Sequence, residues 1–292
     1  MTRVVYVNGQ YRPYADASVH IEDRGYQFSD GVYEVCEVRD GALVDERRHM
    51  ARLERSMGEL RMESPMGWQS LGVVLRETVR RNRVRNGIVY LQVTRGVCRR
   101  DFAFPPEGVR PSVVCFARSS SREKLEAKAE RGVAVITVPD IRWKRVDIKT
   151  TGLLAQSLAR QTAKDSQADE AWMIDAEGYI TEGASCNAWI VTKEGALVTR
   201  AAEGAILRGI TRETVLDTLR QQGLYFEERA FTVDEAKAAR EAFQTSASGV
   251  VMPVISIDGV IIGNGYPGEL TRDLRARYHS VAEISHVARL LT

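Results

Sequence analysis

Over residues 31–37 the side chains alternate so regularly that the segment is predicted as a β-strand. Val32, Glu34 and Cys36 share one face, while Tyr33, Val35 and Glu37 share the other. Polar and apolar groups mix on both faces, the pattern expected where one end of a strand lines a pocket. Asp40-Gly41 then supplies a turn and residues 42–44 a returning strand, so the segment opens a hairpin. Upstream, residues 4–7 and a strand near Tyr11 flank the Asn8-Gly9 turn signal, and a further short strand is expected over residues 18–21. The chain therefore begins as a β-meander.

Helical periods follow. Met50, Leu53, Met57 and Leu60, then Leu71, Val74, Leu75 and Val79, recur at spacings of three and four. Strands are expected over residues 88–93 and 111–116. Between them lies a loop, residues 95–106, in which Arg99 and Arg100 stand among aromatics. A chain of 292 residues exceeds one comfortable core, and the polar run over residues 118–124 predicts a linker. The expectation is an N-terminal α/β domain over residues 1–118, a linker over 119–131 and a C-terminal domain over 132–292. In the second part strands are predicted over residues 133–138 and 169–174. An amphipathic helix begins within residues 204–213, residues 254–262 form a hairpin, and helices rich in Leu, Arg and Ala finish the chain.

Composition narrows the function classes. Hydrophobic residues at 44% and charged residues at 27% describe an ordinary soluble globular protein. A net charge of +2 is too small to imply nucleic acid or a membrane surface. Cys36, Cys98, Cys115 and Cys186 are widely spaced without a CxxC pair, as expected for reduced thiols and not for a disulfide frame or a zinc site. The four histidines lack metal-ligand spacing, so no metal is expected. With no signal-peptide pattern and no apolar run of membrane-spanning length, a cytoplasmic location is expected.

Five places carry possible chemistry. Lys149 lies between apolar and small residues, just ahead of a helical pattern starting near Leu153, in a chain whose basic residues are mostly arginine. It is either a loop lysine at a helix start or, if partly desolvated, a nucleophilic amine and base. Glu182 sits among strand residues and precedes a run of small ones, so it is either a solvated turn residue or a carboxylate facing a buried cation. Arg52, on the first helix, is either solvated or able to reach an anion. The helix start near Ile210 and Thr211, and the hydroxyls and open amides of residues 245–249, suit a phosphate.

Together the residues resemble a known family. Asp23-Arg24-Gly25-Tyr26-Gln27-Phe28 with Asp30-Gly31-Val32-Tyr33-Glu34-Val35, Asp140-Ile141-Arg142-Trp143 with Asp147-Ile148-Lys149, Thr181-Glu182-Gly183, and Gly209-Ile210-Thr211-Arg212 resemble the D-amino-acid transaminases. These belong to the fold-type IV group of pyridoxal-phosphate enzymes. The resemblance covers nearly the whole chain. It implies an α/β (α+β) protein of two domains with pyridoxal 5'-phosphate in the cleft between them, the C-terminal domain being the cofactor-binding one. It further implies that Lys149 forms the Schiff base and moves the proton, and that Glu182 pairs with the pyridine nitrogen. Arg52, the amides of Ile210 and Thr211, and the segment around Ser246 and Ala247 would anchor the phosphate, with Leu207 against the ring.

The implied reaction is ping-pong transfer of an amino group from a D-amino acid, D-alanine first, to a 2-oxo acid such as 2-oxoglutarate. In the family the substrate carboxylate meets a tyrosine, an arginine and a histidine. Tyr33 and Arg100 match the first two, whereas Phe102 occupies the histidine position and leaves one polar contact missing, with Arg99 adjacent. That departure keeps an (R)-selective amine transaminase as the alternative, with an aminodeoxychorismate lyase or a branched-chain-type transaminase more distant. A non-catalytic binding relative would be expected to lose Lys149 or Glu182. The resemblance also implies a homodimer.

Overall fold

In the computed structural model, which describes residues 3–285, the chain forms two compact units. The first takes in the chain through Arg122, a short return at Ile148–Gly152 and the segment from Glu283. It contains β1 (Val4–Val7), β2 (Gln10–Pro13), α1 (Arg24–Phe28), β3 (Gly31–Arg39), β4 (Ala42–Val44), α2 (Glu46–Glu59), α3 (Trp68–Arg81), β5 (Gly87–Thr94) and β6 (Ser112–Ser119). The sheet runs β16-β4-β3-β5-β6-β1-β2, where β16 is Ile284–Ser285, and every neighbouring pair is antiparallel.

The alternation that predicts β3 is realised. Val32, Glu34, Cys36 and Val38 are buried, and three of the four join one apolar core with Leu53 and Met57 of α2 and Leu71 and Leu75 of α3. Each such side chain contributes roughly 1.5–3 kcal/mol by leaving water. Glu34 is the exception on that face and needs a partner.

The second unit holds Glu123–Asp147 and Leu153–Ala282. Its elements are α4 (Arg122–Arg131), β7 (Val133–Pro139), α5 (Leu154–Asp165), β8 (Glu170–Ile174), β9 (Ile180–Gly183), β10 (Asn187–Val191), β11 (Leu197–Thr199) and α6 (Ile210–Gln221). They continue with β12 (Phe226–Glu228), α7 (Val233–Ala238), β13 (Glu241–Ser246), β14 (Val250–Ile257), β15 (Val260–Ile261) and α8 (Glu269–Val281). The sheet order is β12-β11-β10-β13-β14-β7-β8-β9, with β15 on β14. It is mixed: β14–β7, β7–β8 and β11–β12 are parallel. Trp172, Ile190, Val198, Phe231 and Ile257 are fully enclosed in its core.

Several expectations are corrected. Residues 18–21 form no strand; Val19 and Ile21 stay exposed, and Asp23 instead caps α1 through Gly25 N at 2.9 Å. The polar run over residues 118–124 is the end of β6 and the start of α4. Its Glu, Lys, Ala and Arg are strong helix formers, Glu123 lies in the first turn and Lys128 and Arg131 in the last, and its polarity reflects an exposed helix and not a flexible tether. The expected linker over 119–131 is therefore mostly helix, and the chain changes unit after Arg122. Residues 148–152, assigned by position to a domain over 132–292, group with the first unit because their backbone bonds to β3. The helix expected to begin within residues 204–213 does so at Ile210, after Gly204 at φ +100° and an extended Gly209. At the C-terminus α8 supplies a helix, and the rest of that expectation, over residues 286–292, lies outside the described residues.

Candidate active site

Lys149 owes its place to backbone pairing. Tyr33 N donates to Lys149 O and Thr151 N to Gly31 O, both at 3.0 Å, and Val32 bridges Thr150. Ile148, buried in the first core, anchors the same turn. The result sets Lys149 Nζ 3.2 Å from the Tyr33 hydroxyl and 4.3 Å from the centre of its ring. Tyr33 in turn stacks on Tyr90, and Tyr90 on Phe116, with centroids 5.4 and 4.8 Å apart. A half-buried amine is thus held beside a hydroxyl with which it can exchange a proton.

Arg52 is not the solvated residue that its helical position alone suggests. Its Nε and Nη2 each donate to Glu34 at 2.8 Å, and Glu34 also pairs with His49 Nδ1 at 2.7 Å. Glu34 belongs to β3, and both partners come from adjacent turns of α2. Burial alone would raise the Glu34 carboxyl, but the Arg52 guanidinium and the bonds from Arg52 and His49 outweigh it and hold the pKa at about 2. Burial likewise works against the Arg52 charge, and the Glu34 carboxylate more than offsets it, so the Arg52 pKa is raised.

The second unit carries Glu182 on β9, buried and not solvated. Its carboxylate accepts from Arg142 Nη1, from Leu207 N at 3.1 Å and from Asn187 Nδ2 at 2.9 Å. Arg142 is fixed from behind by Asp140, which takes Nε at 2.9 Å and Nη2 at 2.6 Å and also accepts from the Thr181 hydroxyl at 2.8 Å. Burial opposes the Arg142 charge, yet Asp140 and Glu182 together raise its pKa above the ordinary arginine value.

Asn187 is the hub on this side, and residue spacing gave it no role. Besides Glu182 it donates to Leu207 O at 3.0 Å, and it pairs in register with Thr245 of β13. Gly209, the N-cap of α6, lies so close that an added Cβ would stand 2.0 Å from Asn187 Oδ1. The lack of a side chain there lets the helix start, with Ile210 and Thr211 in its first turn, come up against Asn187. Arg212, fully buried, ties the same turn to Glu228 at 2.6 Å and Arg200 O at 2.9 Å. Ser246 and Ala247 follow Thr245 into a tight turn that ends at Val250 with φ +59°, a strained conformation for a β-branched residue. Arg275 holds that turn through Gly249 O and Val251 O at 2.8 and 2.7 Å.

Arg100 and Phe102 lie together on the exposed loop after β5, beside Phe28. Among the candidates, therefore, Lys149 meets Tyr33, Arg52 meets Glu34, and Glu182 meets Leu207. Glu34, His49, Arg142 and Asn187 were missed. For Glu34 the available signal was a carboxylate sharing a strand face with Val32 and Cys36, which must find a partner once that face is buried.

Comparison with known proteins defines the class. The pattern of the amino-transferase class IV family matches residues 31–257, and the chain belongs to that family. It is 38% identical to a D-alanine aminotransferase of Staphylococcus haemolyticus over 97% of this chain and 99% of the relative. With a D-alanine aminotransferase of Bacillus licheniformis it shares 40% identity, covering 93% and 94% of the two chains. Among solved structures, the branched-chain aminotransferase of the thermophilic archaeon Thermoproteus uzoniensis with norvaline matches with a TM-score of 0.83 at 26% identity. That match covers 97% of this chain and 99% of the other. The fold is that of the fold-type IV aminotransferases, as the sequence resemblance implied.

Proposed function

We propose that the protein is a pyridoxal-phosphate-dependent transaminase that takes the amino group from a D-amino acid, D-alanine foremost, and passes it by a ping-pong cycle to a 2-oxo acid such as 2-oxoglutarate. Likeness to D-alanine aminotransferases over nearly the full length supports the class. The observation that carries the chemistry is the Lys149 amine at 3.2 Å from the Tyr33 hydroxyl.

The residues present fit the cofactor. A lysine amine, a buried carboxylate ringed by N–H donors, and a helix N-terminus whose cap lacks a side chain answer its aldehyde, its ring nitrogen and its phosphate. When bound, pyridoxal 5'-phosphate supplies the carbonyl that takes up the amino group and a ring that accepts the electron pair left by the departing Cα proton. Lys149 Nζ is the base that removes that proton and later returns it. Tyr33, bonded to Nζ, orients the amine. Glu182 holds a proton on the ring nitrogen, and Arg142 with Asn187 aims its carboxylate. As the family resemblance implies, Arg52, the amides of Ile210 and Thr211 and the Ser246–Ala247 turn would hold the phosphate, and Leu207 would pack on the ring. Glu34 keeps Arg52 in place. Tyr33 and Arg100 receive the substrate carboxylate, and Phe102 offers that anion no hydrogen bond. That gap favours a second activity on (R)-amines, which lack the charge.

The reading includes a cytoplasmic homodimer. No helix among the described residues is long and apolar enough to cross a membrane. Ile21, Tyr26 and Phe102 on one unit and Leu154 and Leu158 on the other are exposed, which suits burial against a second copy.

The test is spectroscopic and stereochemical. The purified protein is expected to absorb near the visible edge, to lose that band on borohydride treatment with mass added at Lys149, and to give an amine-loaded spectrum with D-alanine but not L-alanine. A borohydride-stable spectrum, or equal response to both enantiomers, would overturn it.

A further inference from the structure

Arg100 stands out in the loop after β5. Its guanidinium carbon lies 4.9 Å from the Phe28 ring centre and 5.5 Å from that of Phe102, and the two rings are 5.6 Å apart. Among the described residues no carboxylate pairs with it. Asp101, its neighbour in the chain, bonds Ala103 N at 3.0 Å instead. Phe102 is 80% exposed.

The loop itself is rigidly held. Arg24, its side chain 4% exposed, gives Nε to Asp30 at 2.7 Å and donates to Asp101 O at 2.6 Å and Ala103 O at 3.1 Å. It also lies 4.7 Å from the Phe28 ring centre. Asp30 is shared with Arg95 at 2.7 Å, so the Arg24 charge is satisfied within the fold while that of Arg100 is not.

We propose that Phe28 and Phe102, packed against each other, form an aromatic corner beside Arg100, a bracket on one side that positions it as the carboxylate-selecting group of this enzyme, with Arg24 fixing the backbone that carries it. The proposal rests on the carboxylate role given to Arg100 above. Aromatic rings attract a guanidinium through their negative faces and consume none of its N–H donors. The bracket therefore restrains the side chain and leaves its fork for an incoming carboxylate. Phe102, which cannot bond the anion itself, acts through Arg100 as a positioning residue.

The test uses the holoenzyme and the variants Phe102→Leu, Phe102→Tyr and Arg100→Ala. Two quantities are read: kcat and KM for D-alanine, and the dissociation constant of propionate, a carboxylate without an amino group, from spectral titration. Phe102→Leu is expected to raise KM and the propionate constant together by about three- to five-fold, with kcat changing less than about two-fold. Phe102→Tyr, which restores a ring, should recover most of that loss. If Arg100→Ala weakens both while Phe102→Leu weakens neither, or if Leu and Tyr behave alike, the bracket is overturned and the carboxylate role stands. If Arg100→Ala leaves both constants unchanged, the carboxylate role fails and the bracket with it.

Discussion

A carboxylate is only as useful as the groups that aim it. Three N–H donors meet Glu182, and Arg142 is itself braced by Asp140. Glu182→Gln keeps the shape but removes the charge, and its amide nitrogen must face donors. The expected result is a loss in turnover on the order of 10²-fold, with little change in KM. Unfolding free energy should fall by about 1–3 kcal/mol. An unchanged single-turnover rate would give the pyridine nitrogen another partner. Lys149 and Glu182 were legible as residue types in a motif. Asn187 was not, because its role comes from Leu207 and Gly209, about twenty residues away, being folded against it.

Between elements, the link that matters most is β3 to α2. The alternation of β3 put Glu34 on one face with Val32 and Cys36, and the three-four spacing of α2 showed its apolar stripe, but neither pattern paired Glu34 with His49 and Arg52. That pair has a pH signature. With its pKa at about 2 in the fold and 4.5 ordinarily, Glu34 takes up a proton in the unfolded chain at higher pH than in the native one. Stability is therefore fully present above pH 4.5 and is lost as pH falls from there toward 2. Glu34→Gln should flatten this acid branch in urea denaturation at stepped pH. At neutral pH it should cost about 3–5 kcal/mol, because a buried Arg52 loses its counter-charge. Parallel pH curves for the two proteins would remove Glu34 from the acid transition. The linker expected over 119–131 teaches the converse lesson: helix formers on an exposed face imitate a linker, and only their hydrogen bonding shows α4.

At the scale of the molecule, the exposed apolar side chains of the two units bear on assembly. A homodimer predicts a sedimentation mass of about twice the 32.6 kDa chain at micromolar concentration, and a monomer mass there would exclude it. Periodicity and turn signals by themselves determined most strands and helices, because burial of one face imposes a period of two or 3.6 on any sequence. The motifs determined the class of chemistry, because a Schiff-base amine and its acid have few substitutes. Tertiary structure alone decided which unit owns Lys149: residues 148–152 leave the second unit and bond to β3, far away in sequence. It alone set the amine on Tyr33, Glu34 on Arg52, and Arg100 beside the paired rings of Phe28 and Phe102. Most of those contacts join residues tens of positions apart, and nothing local in a chain records which distant neighbour will satisfy a buried charge.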